Sequence, residues 1–221
     1  MKLLLSAFTK FILGFVLLGV MLFVPAGTLR YFGAWLFLGV LLVPMLLLGI
    51  VLFCKAPELL AKRLNNKEKQ KTQQGVIALA GLIFPAGFVL SALDFRFGWT
   101  SVPLPLMLIA ALVFLLGYAM YAEVMRENAY LSRTVEVQQG QRVISTGLYG
   151  AVRHPMYLAT LLMFLPLPLI LGSLWGLVPF ALYPILIVIR ILNEERVLSA
   201  ELDGYAEYKT RVKYCLIPFV W

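Results

Sequence analysis

Histidine, cysteine and acidic residues are scarce in this 221-residue chain, which has one histidine, two cysteines and 11 Asp plus Glu. Cys54 and Cys215 stand alone, so they make neither a disulfide framework nor a set of metal ligands. With His154 as the only histidine, the usual ligands of a zinc or iron site are missing. We therefore expect no metal centre.

Charged residues are missing from five long stretches. The chain is 62% hydrophobic and 14% charged, whereas a soluble domain of this length would carry more charge. Uncharged runs of 19, 24, 22 and 26 residues each suffice for a membrane span of about 20 residues, and a fifth run, His154 to Ile189, has 36 residues. In lipid, the backbone N–H and C=O groups of such segments must form their hydrogen bonds within the segment, as they do in helices. We therefore predict an all-α polytopic membrane protein. The expected spans are 11–29, 35–53, 75–93, 104–122, 156–171 and 174–189.

We therefore expect about six transmembrane helices, of which the last two form a hairpin that turns at Gly172-Ser173. Its four prolines are expected to kink both legs: Pro166, Pro168, Pro179 and Pro184. Lys10 interrupts the first apolar region and no small-residue cleavage site follows it, so we expect the first helix to be retained. The whole chain, 1–221, is interpreted as one membrane domain, with four spans in 1–122 and a catalytic region in 123–221.

Basic residues predict the orientation of the protein. With the N-terminus in the cytoplasm, 17 of the 19 Lys and Arg residues lie in cytoplasmic segments, and only Arg30 and Arg96 lie outside. Both termini and the polar loops are therefore expected in the cytoplasm, in the inner membrane if the source is bacterial. This bias also accounts for the net charge of +8, so no nucleic-acid partner is indicated, and nothing points to a protein partner.

Residues 56–74 allow two interpretations. Pro57 suits a first helical turn, Leu59, Leu60 and Leu64 share a face, and several basic residues can meet anionic headgroups, which favours an interfacial amphipathic helix. The alternative is a plain solvated connector. The basic residues are Lys62, Arg63, Lys67, Lys69 and Lys71.

The two ends of the hairpin carry the candidate chemistry. The polar segment before it ends in Gly147-Leu148-Tyr149-Gly150-Ala151-Val152-Arg153-His154-Pro155-Met156-Tyr157, in which glycines permit close backbone approach and Pro155 can begin a helix. After the hairpin, Arg190 and Glu194 are spaced i, i+4 and share a helix face. Because a hairpin returns to the side where it began, we expect the two ends to meet at the membrane surface. Arg190 can also be a simple boundary residue that snorkels.

The order of these motifs resembles the isoprenylcysteine carboxyl methyltransferase family, which is itself similar to the phospholipid methyltransferases. The motifs are Gly-Leu-Tyr-x-x-x-Arg-His-Pro-Met-Tyr, an apolar hairpin, Arg-x-x-x-Glu-Glu, and Gly204-Tyr205-x-x-Tyr208-Lys209-x-x-Val212 before Ile217-Pro218. The resemblance covers residues 120 to 221. It implies S-adenosylmethionine as cofactor, bound under the hairpin on the cytoplasmic side. The cofactor-binding positions that it implies are Gln141, Arg142, Val143, Ile144, Tyr149, His154, Pro155, Met156 and Tyr157; the family often has histidine at the position of Gln141.

The resemblance places the substrate-side pair on Arg190 and Glu194. Methyl transfer is mainly a positioning task, so Arg190 can hold an acceptor carboxylate at two points and Glu194 can orient Arg190. With an amine acceptor, Glu194 is the candidate base. The membrane location implies a lipidic or prenylated acceptor. The favoured hypothesis is carboxyl methylation of an isoprenylcysteine-like molecule; the alternatives are phospholipid amine methylation, a sterol-type NADPH reductase, and a transporter or assembly protein.

Overall fold

The N-terminal half of the protein is built from long apolar helices. The computed structural model describes residues 2–64, 68, 70–132 and 134–221. The helices of this half are α1 (Lys2–Ala26), α2 (Phe32–Lys55), α3 (Pro57–Leu64), α4 (Lys71–Phe97) and α5 (Leu104–Glu127). Many large apolar side chains on α1 and α2 face outward and are exposed, as expected for surfaces in contact with lipid. The four predicted N-terminal spans each coincide with one long helix.

The C-terminal half contains the hairpin and the polar segments on either side of it. Its helices are α6 (Leu148–Ala151), α7 (Pro155–Phe164), α8 (Leu167–Ile170), α9 (Leu177–Phe180), α10 (Tyr183–Glu201) and α11 (Tyr205–Arg211). No β-strand occurs in the described part of the chain. The prediction of an all-helical polytopic membrane protein is confirmed.

Prolines interrupt both legs of the hairpin, as predicted. The first leg breaks between α7 and α8 at Leu165-Pro166, and the second breaks between α9 and α10, just before Pro184. Among the described residues, five helices are long and apolar enough to cross a membrane, the fifth being Leu177–Glu201. The first leg, Pro155–Ile170, is shorter. About 16 residues of helix cover roughly 24 Å, less than the roughly 30 Å of the hydrocarbon core.

The turn of the hairpin nevertheless reaches the far end of the bundle, where a buried carboxylate holds it. Asp94, near the end of α4, has no exposed surface and accepts hydrogen bonds from the hydroxyls of Ser173 and Thr100. The Tyr31 hydroxyl, at the start of α2, donates to the carbonyl oxygen of Leu171 at 2.7 Å. Gly172 takes a left-handed backbone conformation in this turn, at φ 79°. The two legs therefore return to the end of the bundle from which they started.

The segment after α2 agrees only partly with either interpretation of residues 56–74, an amphipathic helix or a plain connector. Pro57 does begin a helix, but that helix ends at Leu64, and Lys71 already belongs to α4. Leu59 and Leu60 are buried, whereas Lys62 donates to the carbonyl oxygen of Ala129 at 3.2 Å. The basic face of α3 therefore contacts a protein loop. Lys67 and Lys69 lie outside the described residues.

Glycines allow the helices to approach closely. A Cβ atom on Gly33 in α2 would lie 2.6 Å from the carbonyl oxygen of Leu171 in the hairpin turn. A Cβ on Gly39, six residues further along the same helix, would meet nothing within 4 Å. At Gly33 a side chain would meet backbone atoms, which cannot rotate away as a side chain can. At Gly39 there is room for one.

Gly33→Ala should therefore destabilise the protein, by about 1–3 kcal/mol, because it overpacks a contact between α2 and the hairpin turn. Gly39→Ala is the matched control, and should be neutral or stabilising by up to about 1 kcal/mol through helix propensity. Thermal melting of the two variants in detergent measures the difference. Equal melting temperatures would contradict the close contact at Gly33.

Candidate active site

The hairpin brings its two ends into direct contact, as predicted. Tyr157, in the first turn of α7, accepts a hydrogen bond from Nε of Arg190 at 2.9 Å. The same hydroxyl donates to a carboxylate oxygen of Glu194. Arg190 and Glu194 are one turn apart on α10, so both reach the same tyrosine. Tyr157 thus joins the two predicted substrate-side residues to the predicted cofactor side.

Glu195 is the centre of a second polar cluster, which the sequence did not predict. Its Oε1 accepts from Nε of Arg153 and from the hydroxyl of Tyr205, both at 2.9 Å, and lies 2.9 Å from Nε2 of His154. Its Oε2 lies 2.8 Å from Nζ of Lys209. We call these five residues the Glu195 cluster. The cluster ties the start of α7, the end of α10 and α11 together at one carboxylate.

His154 is buried, and its environment favours the protonated imidazole. Burial alone lowers the pKa of a histidine, but here hydrogen bonds with Cys215 and Glu195, together with the charge of Glu194, raise the pKa of His154 to about 9. The backbone N–H of His154 also donates to the carbonyl oxygen of Cys215 at 2.9 Å. The protonated form of His154 is therefore favoured at neutral pH. The backbone contact with Cys215 holds the C-terminal tail against the start of α7.

The side chains of His154, Glu195 and Cys215 place three potential metal ligands within 4.8 Å of one another. Two further cations, Arg153 and Lys209, already bind the same carboxylate. Positive charge next to the ligand atoms opposes a metal cation, so the chemistry of this group is that of a charge-paired cluster. The absence of a metal centre stays a prediction.

The polar segment before the hairpin is extended, and other parts of the chain hold it in place. Gln139-Gly140 forms the predicted turn, with Gly140 at φ 71°. Nη1 of Arg63 in α3 donates to the carbonyl oxygen of Ser132 at 3.1 Å, and a carboxylate oxygen of Glu68 accepts from the backbone N–H of Val135 at 3.1 Å. The N-terminal half therefore positions this loop.

Gly147 and Tyr149 anchor the end of that loop. Gly147 has a positive φ of 51°, and a Cβ there would collide with the carboxylate of Glu127. The sequence assigned this glycine to ligand approach, whereas in the structure its close neighbour is a side chain of α5. The hydroxyl of Tyr149 accepts from Asn128 at 2.9 Å, and the hydroxyl of Tyr208 donates to the carbonyl oxygen of Tyr149 at 2.7 Å.

A cavity of about 420 Å³ lies among these elements. All 11 residues that the sequence nominated line it, namely Gln141, Arg142, Val143, Ile144, Tyr149, His154, Pro155, Met156, Tyr157, Arg190 and Glu194. Such a volume lies within the range of small-molecule sites. The structure thus collects every predicted position around one space, although lining a cavity does not by itself assign a role to each.

The cavity has an apolar end that the sequence did not predict. Its lining residues on α10 share one side of the helix, since each lies three or four residues from the next turn's member: Tyr183, Leu186, Ile187, Arg190, Glu194 and Leu198. Arg190 therefore lies between an aromatic end within the bundle and the polar loop outside it. Further walls come from α3, α4 and α5, through Arg63, Val76, Ile77, Ala80, Phe84 and Tyr121. Nothing in the sequence distinguishes these α4 residues from ordinary membrane-span residues.

The cavity is polar at the loop and apolar inside the helix bundle, so its two ends suit ligand groups of different polarity. Residues 106–202 match the family model described as phospholipid methyltransferase. The matched segment runs from α5 to the end of α10 and contains every predicted site residue. The match confirms the resemblance to the superfamily of isoprenylcysteine carboxyl and phospholipid methyltransferases where the two ranges overlap, at residues 120–202, and it supports a membrane methyltransferase.

Two consecutive glutamates offer a test of this arrangement. Glu195→Gln should cost about 3 kcal/mol of stability, because it leaves the partly buried Arg153 and the buried His154 without their carboxylate. Glu194→Gln is the matched control, since the same change at the next residue leaves the Glu195 cluster intact. Thermal melting in detergent compares them. Equal losses of stability would show that Glu195 does not hold the hairpin ends together.

Proposed function

We propose that the protein is an S-adenosylmethionine-dependent methyltransferase that methylates the carboxylate of an isoprenylcysteine-like lipidic acceptor. The observation that carries this proposal is the position of Arg190, midway along a cavity that is polar at one end and apolar at the other. Arg190 is bonded there to Tyr157, which is bonded in turn to Glu194. The acceptor's lipid part fits the apolar end, and the cofactor fits the polar end.

The residues of the polar end suit the proposed cofactor. When bound, S-adenosylmethionine supplies a methyl group on a positively charged sulfur. Glu194 offers a negative charge to such a sulfur, and the rings of Tyr149 and Tyr157 offer aromatic faces. The extended strip Gln141–Ile144 contributes backbone that lies outside any helix, where N–H and C=O groups can bind a nucleoside. We therefore assign the cofactor to the space between this strip and the start of α7.

Arg190 is proposed to hold the acceptor carboxylate. Its Nε–H is directed at Tyr157, which fixes the plane of the guanidinium group. A planar guanidinium binds a carboxylate through two parallel hydrogen bonds and so orients one carboxylate oxygen. A carboxylate is already a nucleophile, so the chain needs to supply alignment and exclusion of water, but no base.

The second candidate is methylation of a phospholipid amine, which the description of the matched family favours. An amine must lose a proton, and Glu194, a carboxylate one helical turn from Arg190 in the cavity lining, is the candidate base. Tyr157, bonded to both Arg190 and Glu194, would then connect the base to its surroundings. In both cases we place the site on the cytoplasmic side, in the inner membrane if the source is bacterial, because the basic residues collect on that side.

Cofactor binding is the first test. S-adenosylhomocysteine at a hundredfold excess over its Kd should stabilise the detergent-solubilised protein by about 2.7 kcal/mol, because it binds only the folded state. The measurement is a thermal shift, with NADPH as the control ligand. A shift with NADPH and none with either adenosyl ligand would overturn the proposal in favour of a reductase.

Arg190→Lys should reduce turnover nearly as much as Arg190→Ala, by orders of magnitude. Lysine keeps the charge but lacks the planar two-point grip on a carboxylate. The measurement is methyl transfer to a farnesylcysteine analogue, with the S-adenosylhomocysteine shift as a check that the cofactor end is unchanged. Full activity of Arg190→Lys would contradict the carboxylate role. Sensitivity of Glu194→Gln alone would favour the amine acceptor.

A further inference from the structure

Two buried polar atoms lack a hydrogen-bond partner in the part of the chain that the structure describes, and both flank Arg190. They are Oε1 of Gln73 and Nδ2 of Asn193. Gln73 lies in the first turn of α4, has no exposed surface, and donates through Nε2 to the carbonyl oxygen of Arg190 at 3.2 Å. Asn193 follows Arg190 by three residues on α10, which places it one turn further along the same side of the helix.

This arrangement costs stability that an apolar residue would not cost. Buried donors and acceptors are nearly always paired in native proteins, and an unpaired one loses its hydration without compensation. Val76 and Ile77, one turn after Gln73 on α4, are apolar and line the cavity. The amide at position 73 is therefore an exception on a side of α4 that is apolar one turn further on. Residues that break a packing rule without a structural gain are expected at functional sites.

The hydrogen bond of Gln73 falls on a peptide group that matters for the site. In an α-helix the carbonyl of Arg190 faces the N–H of Glu194, so Gln73 contacts the turn that joins the two substrate-side residues. A bond at this point fixes how far α10 is rotated and shifted against α4. Rotation of α10 moves the Arg190 guanidinium relative to Tyr157, to which it is bonded at 2.9 Å.

We propose that Gln73 is a positioning residue, which holds the turn of α10 from Arg190 to Glu194 in the orientation that the reaction needs. It acts through the backbone of Arg190 and is not itself assigned to substrate or cofactor. The role rests on the proposed function, since it concerns the geometry of the acceptor. It also assigns a task in the site to α4, a helix that precedes the segment matched by the methyltransferase family.

The test compares Gln73→Met with Gln74→Met. Methionine has nearly the shape of glutamine but neither donates nor accepts as an amide does, and Gln74 is exposed and adjacent, which makes it the matched control. Gln73→Met should melt at the same temperature as the wild type or higher, since an unpaired buried oxygen is removed. Its kcat should nevertheless fall by about tenfold to a hundredfold through misplacement of Arg190, with the S-adenosylhomocysteine shift unchanged. Gln74→Met should keep wild-type kcat.

A second readout does not depend on methyl transfer. Hydrogen exchange in the peptide that contains Arg190 to Glu194 should be faster in Gln73→Met than in the wild type, and unchanged in Gln74→Met. Unchanged exchange, or an unchanged kcat, would overturn the positioning role. A lower melting temperature with normal kcat would also overturn it, since Gln73 would then be a packing residue only. If the wild type transferred no methyl group, the proposed function would be refuted. The hydrogen-exchange result tests only the contact between Gln73 and α10, so the two failures can be told apart.

Discussion

The carboxylate of Glu195 is the constraint on which the rest of the site depends. It collects Arg153 and His154 from the start of α7, and Tyr205 and Lys209 from the region after α10. Cations at the boundary of a membrane helix are costly to bury unless a counter-charge lies within hydrogen-bond distance. Because one carboxylate serves all of these groups, the two ends of the hairpin and the C-terminal segment can meet only in this arrangement. Tyr157 and Arg190 are brought together as a consequence.

Glu194 and Glu195 illustrate how a helix separates two tasks. Successive residues on an α-helix point in directions about 100° apart, since the helix has 3.6 residues per turn. Glu195 turns towards α11 and binds the cationic cluster, whereas Glu194 turns towards the cavity and accepts from Tyr157. Position on the helix therefore distinguishes a carboxylate that holds the fold from one that is available for chemistry. From the sequence alone, two adjacent glutamates cannot be told apart in this way.

Charge-free runs were enough to predict the four N-terminal spans, and the reversal of a hairpin was enough to predict that its two ends would face each other. That Tyr157 is the residue in contact with both Arg190 and Glu194 is seen only in the structure. The sequence could not show which side of each helix faces the cavity and which side faces lipid. The residues of α4 that line the cavity, such as Val76, resemble those that face lipid, because apolar lining and apolar packing use the same side chains. The extent of α3 was misjudged for a related reason, since a run of lysines allows either a longer helix or the start of the next one.

The walls of the cavity come both from the segment that matches the family and from the helices before it. The family match begins within α5, yet Phe84 of α4 closes the apolar end through edge-to-face contacts with Phe164 and Tyr183. Arg63 of α3 holds the loop at the polar end. A site whose two ends are both completed from outside the matched segment depends on the packing of the first helices for its shape. The residues proposed for chemistry therefore lie within the matched segment, whereas the space around them is shaped partly by helices outside it.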